Sequence, residues 1–449
     1  MLKAGYAKVN VNPMLGIGIS GYYKTRLAEG VLDDLEIVAL ALEVSGKKVL
    51  MLCIDNLGVR QGLNKEFRMH IAEVTGVPED AIYLAATHTH TAPYLRNYDY
   101  LNEELEKEYA RFVYHRMAEV AAAALEDLKP ARMGYGVGTA PNVAFVRRFR
   151  MKDGSVRTNP GVDHPDILEP IGQVDERVSV VRFDREGAES LVLVNFANHP
   201  DVVGGNKISA DWPGLLRSQV EKSLDHVKCI FFNGAQGDIN HVNVHPRGGY
   251  LNDTFMDFDD VSRGYGHAKY IARVVTGGVL QIYDKVQYVE DVDLISIQKT
   301  MKIPSNMPDP KDLPEARHIN EMHLAGRDAE LPYKGMMLTT MVAKAARMLR
   351  LEHGPEFFEM PLSGIKLGPV AFVGIPGEPF NGIGRALKET EGYGLVIPTC
   401  ATNGYEGYFP MKDAYDEGGY EAGTSGFRAG TAEQIIEEGK QLLKEMAEA

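Results

Sequence analysis

The feature that most constrains this chain is a rhythm. Short apolar runs rich in β-branched residues alternate with longer amphipathic stretches. "KKVLMLCI", "AIYLAA", "SLVLVNFA", "KCIFFNGA" and "PVAFVGI" have the length and composition of buried strands. Between them, Glu103–Asp127, Trp212–Leu224 and Phe380–Glu389 carry apolar residues at helical spacing. Strand and helix in alternation predict an α/β fold with a mixed, largely parallel sheet, flanking helices and a helical insert, because a parallel crossover is most simply made by a helix. Longer β-patterned stretches around Glu176–Val194 and Val286–Met301 predict antiparallel additions.

A chain of 449 residues has room for about three average domains, or for one large unit with an insertion. The second organisation is expected: residues 1–449 form one unit, and 302–356 is a helical insert within it. The proline-rich connection "PSNMPDPKDLP" introduces the insert, and helical patterns follow at Ala316–Glu330 and Met336–Leu351. A final amphipathic helix covers about Thr431–Ala447. "GIGISG" (16–21) fits a dinucleotide-binding pattern, but "NVNP" before it and "YYKTRLAEG" after it supply neither the strand nor the helix that the mechanism requires. It reads as a glycine-rich turn.

With 48 basic and 62 acidic residues the net charge is −14, which argues against nucleic acid or an anionic membrane as partner. Three isolated cysteines, Cys53, Cys229 and Cys400, make no disulfide framework and no paired metal motif. The first residues lack a secretion signal, and no apolar run is long enough to span a bilayer. The expectation is a cytoplasmic protein acting on a small molecule, with no integral membrane segment and with homo-oligomerisation left open.

Chemistry collects in one kind of place. The strand patterns run into Asp55, His88, His199, Asp238 and Glu378, each at a carboxyl end. In α/β sheets, sites are assembled at that edge, so the five groups are expected to converge. In "YLAATHTHTAPY", His88 and His90 stand two apart and face one way if the segment is extended. His88, His199 and Glu378 then make a two-imidazole, one-carboxylate set suited to hydrolytic zinc, with His90 beside it as a supporting or transition-state group. Taken one at a time, each has a plainer reading: a hydrogen-bonded structural histidine, or a turn carboxylate capping a helix. The same set also describes non-haem iron sites, although those usually lie on all-β barrels.

"ATHTHTAP" (86–93), "NHPDVV" (198–203), "NGAQGDIN" (233–240), "IPGEPF" (375–380) and "NGYEGY" (403–408) resemble, in order, the motifs of the neutral ceramidase family. These are zinc amidases that cleave the N-acyl bond of ceramide. The resemblance runs from "GYAKVNVNP" to "GYEAGTSGF". It implies His88, His199, Glu378 and Tyr408 as zinc ligands, Tyr420 as a residue that orients or polarises the scissile carbonyl, and His90 in the same pocket. Arg147, or its neighbour Arg148, corresponds to a substrate-binding arginine.

This sequence departs from the family in three ways. Asn240, followed by His241, stands where the family carries a serine once discussed as nucleophile. Asparagine cannot attack a carbonyl, so metal-activated water is the expected nucleophile, and Asn240 is grouped with Arg147 as substrate-binding. The early Asp-x-Thr-Pro motif reads "NVNP", with Asn10 in place of the acid. Family members are longer, secreted or membrane-facing, and carry a C-terminal Ig-like sandwich that is not expected here. The reading is a zinc hydrolase of an amide bond in a small soluble substrate, with ceramide itself doubtful. His90 and Tyr420 would donate to the oxyanion, and His90 or Asp238 would move the proton. The alternatives are an esterase or lactonase on the same scaffold, or an inactive, metal-stabilised binding protein.

Overall fold

The computed structural model describes residues 1–449 except 25, 96–103, 247–250 and 252. The loop after Tyr94, expected to shape the pocket, lies mostly outside the described residues, as does Glu103.

Two sheets carry the architecture. The larger has nine strands. Its main path runs Val227–Asn233, Ser190–Phe196, Arg177–Arg185, Lys129–Thr139, Leu2–Asn10, Glu36–Val44, Lys47–Ile54 and Ile82–Ala86, and Gln287–Val289 adds to Lys129–Thr139. The smaller orders Leu294–Pro304, Phe357–Leu367, Val370–Gly374 and Leu395–Thr399. The mixed α/β class is therefore as expected, but the balance within the sheets is corrected. Parallel pairing is the minority, confined in these two sheets to Lys47–Ile54 with Ile82–Ala86, Ser190–Phe196 with Val227–Asn233, and Val370–Gly374 with Leu395–Thr399. Tight glycine turns elsewhere send the chain straight back on itself. Ser45 and Gly46, both at positive φ, join Glu36–Val44 to Lys47–Ile54 in such a hairpin.

In each parallel pair the connection contains a helix: Gln61–Thr75, Asp211–Ser223 and Asn381–Lys388 respectively. The second and third match the amphipathic stretches Trp212–Leu224 and Phe380–Glu389 of the sequence, and Gln61–Thr75 is an addition to them. Glu36–Val44 is buried on both faces, with Ile37 through Leu42 at most 2% exposed. The helix Glu104–Glu126 packs on this strand, and the edge strand Val227–Asn233 also approaches it. The large sheet thus curls until its two edges meet: Asn233 Nδ2 donates to the Thr87 carbonyl across 3.1 Å. Each fully buried Leu, Ile or Val contributes about 1.5–3 kcal/mol to holding this shape.

The segment 302–356 contains helices Leu313–Leu324 and Gly335–Leu351 with a shared apolar core (Ile319, Val342 and Met348 among others). The first helix ends earlier than its pattern suggests, since Gly326 at φ 68 turns the chain before Glu330. No helix among the described residues is long and apolar enough to cross a membrane.

Candidate metal centre

All three parallel pairs present their carboxyl ends to one region. His88 follows Ile82–Ala86, His199 follows Ser190–Phe196, and Glu378 follows Val370–Gly374. His88 is reached differently from what strand alternation implies. Its φ of 74 lies in the left-handed region, at a cost of roughly 1–2 kcal/mol for a residue with a Cβ. Its N–H is held by the Asn56 carbonyl at 2.8 Å. His88 and His90 still face one point, but through this turn.

The donor atoms are close. Nε2 of His88 lies 3.2 Å from Nε2 of His199 and 3.4 Å from Nε2 of His90. Glu378 Oε2 lies 3.1 Å from His88 Nε2 and 3.3 Å from His199 Nε2. All four residues are buried, His90 the least so at 8% exposed. His88, His90 and His199 form a group whose geometry suits a metal ion.

Protons decide what can occupy such a place. His88 Nδ1 faces the Leu57 carbonyl at 2.7 Å, and His199 Nδ1 faces the Gln236 carbonyl at 3.1 Å. A carbonyl only accepts, so both Nδ1 atoms carry a hydrogen, and in a neutral imidazole that leaves Nε2 as the lone-pair nitrogen. Burial and the nearby Arg147 charge push His199 well below the usual histidine range, keeping it neutral. Glu378 Oε2 is buried without a donor. Its partner Oε1 accepts the Tyr405 hydroxyl at 2.8 Å. The lone pair of the neutral His199, His88 Nε2 and a carboxylate oxygen thus converge on one point. Two imidazole nitrogens and a carboxylate at this spacing are a donor set that a divalent cation takes, so the residues fit a metal.

No family sequence model matches the chain, and no curated protein sequence matches it. Solved structures do. A neutral ceramidase from Pseudomonas aeruginosa aligns with 100% of this chain and 74% of its own, at TM-score 0.74 and 18% identity. A ceramidase complexed with C2 aligns with 99% of this chain and 75% of its own, at TM-score 0.72 and 16% identity. The chain has the neutral ceramidase fold.

On the ceramidase fold the remaining candidates fall into place around the imidazoles or apart from them. Tyr408 is the register partner of Glu378 in a short parallel pair. Its ring stacks near His199 at a centroid distance of 6.5 Å, and the Tyr420 ring stands 5.7 Å beyond. Burial and the Glu378 charge push the Tyr408 phenol well up, while Arg147 opposes them. Arg147 is fully engaged: Nε donates to Glu421 Oε1 at 2.6 Å and a terminal nitrogen to the Gly237 carbonyl at 2.7 Å. Its guanidinium stands 5.5 Å from the Tyr408 ring centroid. Arg148 bonds Glu417 at 2.9 Å.

Three candidates point elsewhere. Asp55 grips Arg217 through both carboxylate oxygens, at 2.9 and 2.5 Å. Asp238 Oδ1 accepts the Asn381 N–H at 2.6 Å, at the start of helix Asn381–Lys388, and burial pushes its carboxyl up to about 6. Asn240 donates to Asn159 at 2.9 Å and accepts from the Val242 amide at 3.0 Å. Full convergence of the five strand-end groups is thus corrected to His88, His199 and Glu378. Asp55 and Asp238 are spent on buried partners that no strand pattern reveals.

Three neighbours escaped sequence reasoning. Tyr405 lies inside "NGYEGY", three residues before Tyr408, and its hydroxyl reaches Glu378. Asp201, in "NHPDVV", brings Oδ1 to 3.6 Å from His90 Nδ1 and is itself ionised against Arg263 at 2.8 Å. Gly21 closes "GIGISG" at φ 106, and a Cβ there would meet the His90 ring at 2.8 Å. That motif is a turn, and one of its glycines makes room for an imidazole.

Proposed function

We propose that this chain is a zinc-dependent hydrolase that cleaves an amide (N-acyl) bond of a small soluble substrate. The observation that carries the reading is the convergence of His88 Nε2, His199 Nε2 and Glu378 Oε2, gathered within 3.3 Å of one another. The ceramidase fold supports it. His88, His199, Glu378 and Tyr408 would hold the ion. Zinc bound there supplies Lewis-acid polarisation and lowers the pKa of water.

The chain's own groups do the rest. Burial pushes His90 down to about 3, so it is neutral near pH 7. With Asp201 beside Nδ1, its Nε2 is oriented to accept a proton from the attacking water, and Asp201 stabilises the imidazolium that results. This role replaces donation to the oxyanion, which is left to the Tyr420 hydroxyl. Glu378 as a ligand is not free to act as base. Arg147, locked on Glu421, positions Tyr408 rather than reaching substrate. Asn240, bonded to Asn159 and the Val242 amide, provides no nucleophile.

The test pairs metal content with turnover. His88→Ala and His199→Ala should each lose bound zinc and at least about 100-fold in kcat/KM against N-acyl amines and N-acyl amino acids. An active, zinc-free variant overturns the assignment. Faster cleavage of simple esters or lactones than of every amide would move the reaction class to carboxylic esters at the same centre.

A further inference from the structure

The cavity in front of the imidazoles has a volume of about 340 Å³ and is walled by Glu378, His90, Tyr408 and Tyr420 on one side. Opposite them stands the insert. Ala343, Ala346, Arg347 and Arg350 recur at the spacing of one helical face on Gly335–Leu351, the alanines leaving space that the arginines reach across. Arg60 completes the basic lining.

These cations are unevenly matched. Arg60 pairs with Glu406 at 3.1 Å. Glu378 is turned onto the imidazoles. Arg347 is buried and donates only to carbonyls, of Asn306 at 2.9 Å and Gly423 at 3.3 Å. Arg350 lines the cavity with part of its surface still open to solvent, and it pairs with no carboxylate among the described residues. Among the described residues neither guanidinium is bonded by a carboxylate, and Glu406, the acid of this cavity that acts on Arg350, is held by Arg60. Burial first, and then the charge of Arg60, push Arg350 below its usual value; burial and Arg350 do the same to Arg347. An adjoining cavity of about 550 Å³ shares Arg347 and Tyr420 and adds Arg157, Lys334 and Lys344 against one acid, Asp260, among the described residues.

We infer that the substrate carries an oxyanion, a carboxylate or a phosphoryl group, that is received by Arg350 on the helical insert while the scissile bond lies at the imidazoles. The inference rests on the hydrolase reading for the word substrate, but not for the binding itself. A guanidinium offers an oxyanion two parallel N–H donors, and an anion here would pair a guanidinium that no carboxylate among the described residues bonds. A neutral, purely apolar molecule would cover the Arg350 guanidinium without offering it an acceptor.

Three amides separate the outcomes: N-acetylleucine, its phosphonate analogue, and N-isopentylacetamide, which lacks the acidic group altogether. With zinc-loaded protein, kcat/KM should favour an anionic member over the neutral one by about tenfold or more, the gain typical of a charge-assisted pair. Arg350→Gln, checked for unchanged zinc content, should bring that ratio close to one, and Arg350→Lys should recover part of it. Whichever anion is preferred identifies the oxyanion. Should nothing turn over, calorimetry with the same three compounds decides. Anion binding that Arg350→Gln abolishes sustains the inference while sinking the hydrolase. Equal handling of neutral and anionic members by parent and variant overturns the inference and leaves the hydrolase standing.

Discussion

Glu378 and Tyr408 are register partners in a parallel pair of two residues a side, so one hydrogen-bonded ladder fixes a carboxylate and a phenol against each other. Gly377 makes the approach feasible, since a Cβ there would meet the Gly407 carbonyl at 2.4 Å. Tyr408→Phe keeps the ring against His199 and removes only the oxygen. If Tyr408 is a ligand, zinc affinity falls by about 10-fold or more, read by competition with a chromophoric chelator. Unaltered affinity would make Tyr408 a wall and not a ligand.

Metal removal should be visible without any substrate. A ligand that binds only the folded chain stabilises it by about 4 kcal/mol at a thousandfold excess over its Kd. Chelation is expected to lower Tm, and zinc is expected to restore it where magnesium does not, because two imidazoles suit the softer ion. Elemental analysis of protein purified without added metal separates zinc from iron.

Tyr405 reports on support from outside the ligand set. Its hydroxyl orients Glu378 Oε1, and partners of this kind are commonly worth about 10–100-fold in metal affinity. Tyr405→Phe should weaken zinc within that range while the fold, followed by circular dichroism, stays intact. Full retention of affinity would show that the carboxylate is held without it.

Asp238 gives a pH signature. Its folded pKa, about 6, lies above the ordinary 3.8. The folded state then binds the extra proton, so this group's contribution to stability declines as pH rises from about 4 to about 6. Two pKa units correspond to at most about 3 kcal/mol. Asp238→Asn keeps an acceptor for the Asn381 amide and removes the charge. The variant should lose that stretch of the stability–pH profile in chemical denaturation. Its turnover should change less than about tenfold, whereas a proton-transferring carboxylate would cost 10²–10⁴-fold.

Much of this centre was legible because strand ends are legible. An apolar run followed abruptly by His or by Pro-Gly-Glu says where the polar group emerges, and that was enough to choose His88, His199 and Glu378. The same logic failed for Asp55 and Asp238, since what separates a site carboxylate from a structural one is its partner, Arg217 or the Asn381 amide, far away in sequence. The parallel share of the sheets was overestimated for a related reason. Helical crossovers announce themselves by periodicity, while hairpins such as Ser45–Gly46 are two residues long. Tyr405, Asp201 and Gly21 are not legible in this way because each acts on a neighbour, Glu378 or His90, that only the curled sheet brings near.

The insert departs after Pro304 and returns at Phe357, and those two residues sit directly across from each other in one ladder. Both ends of the two-helix segment are thus tied to one point of the ladder. Grafting a different helical pair at this junction is expected to change which molecules the cavity admits while His88 and His199 keep their places.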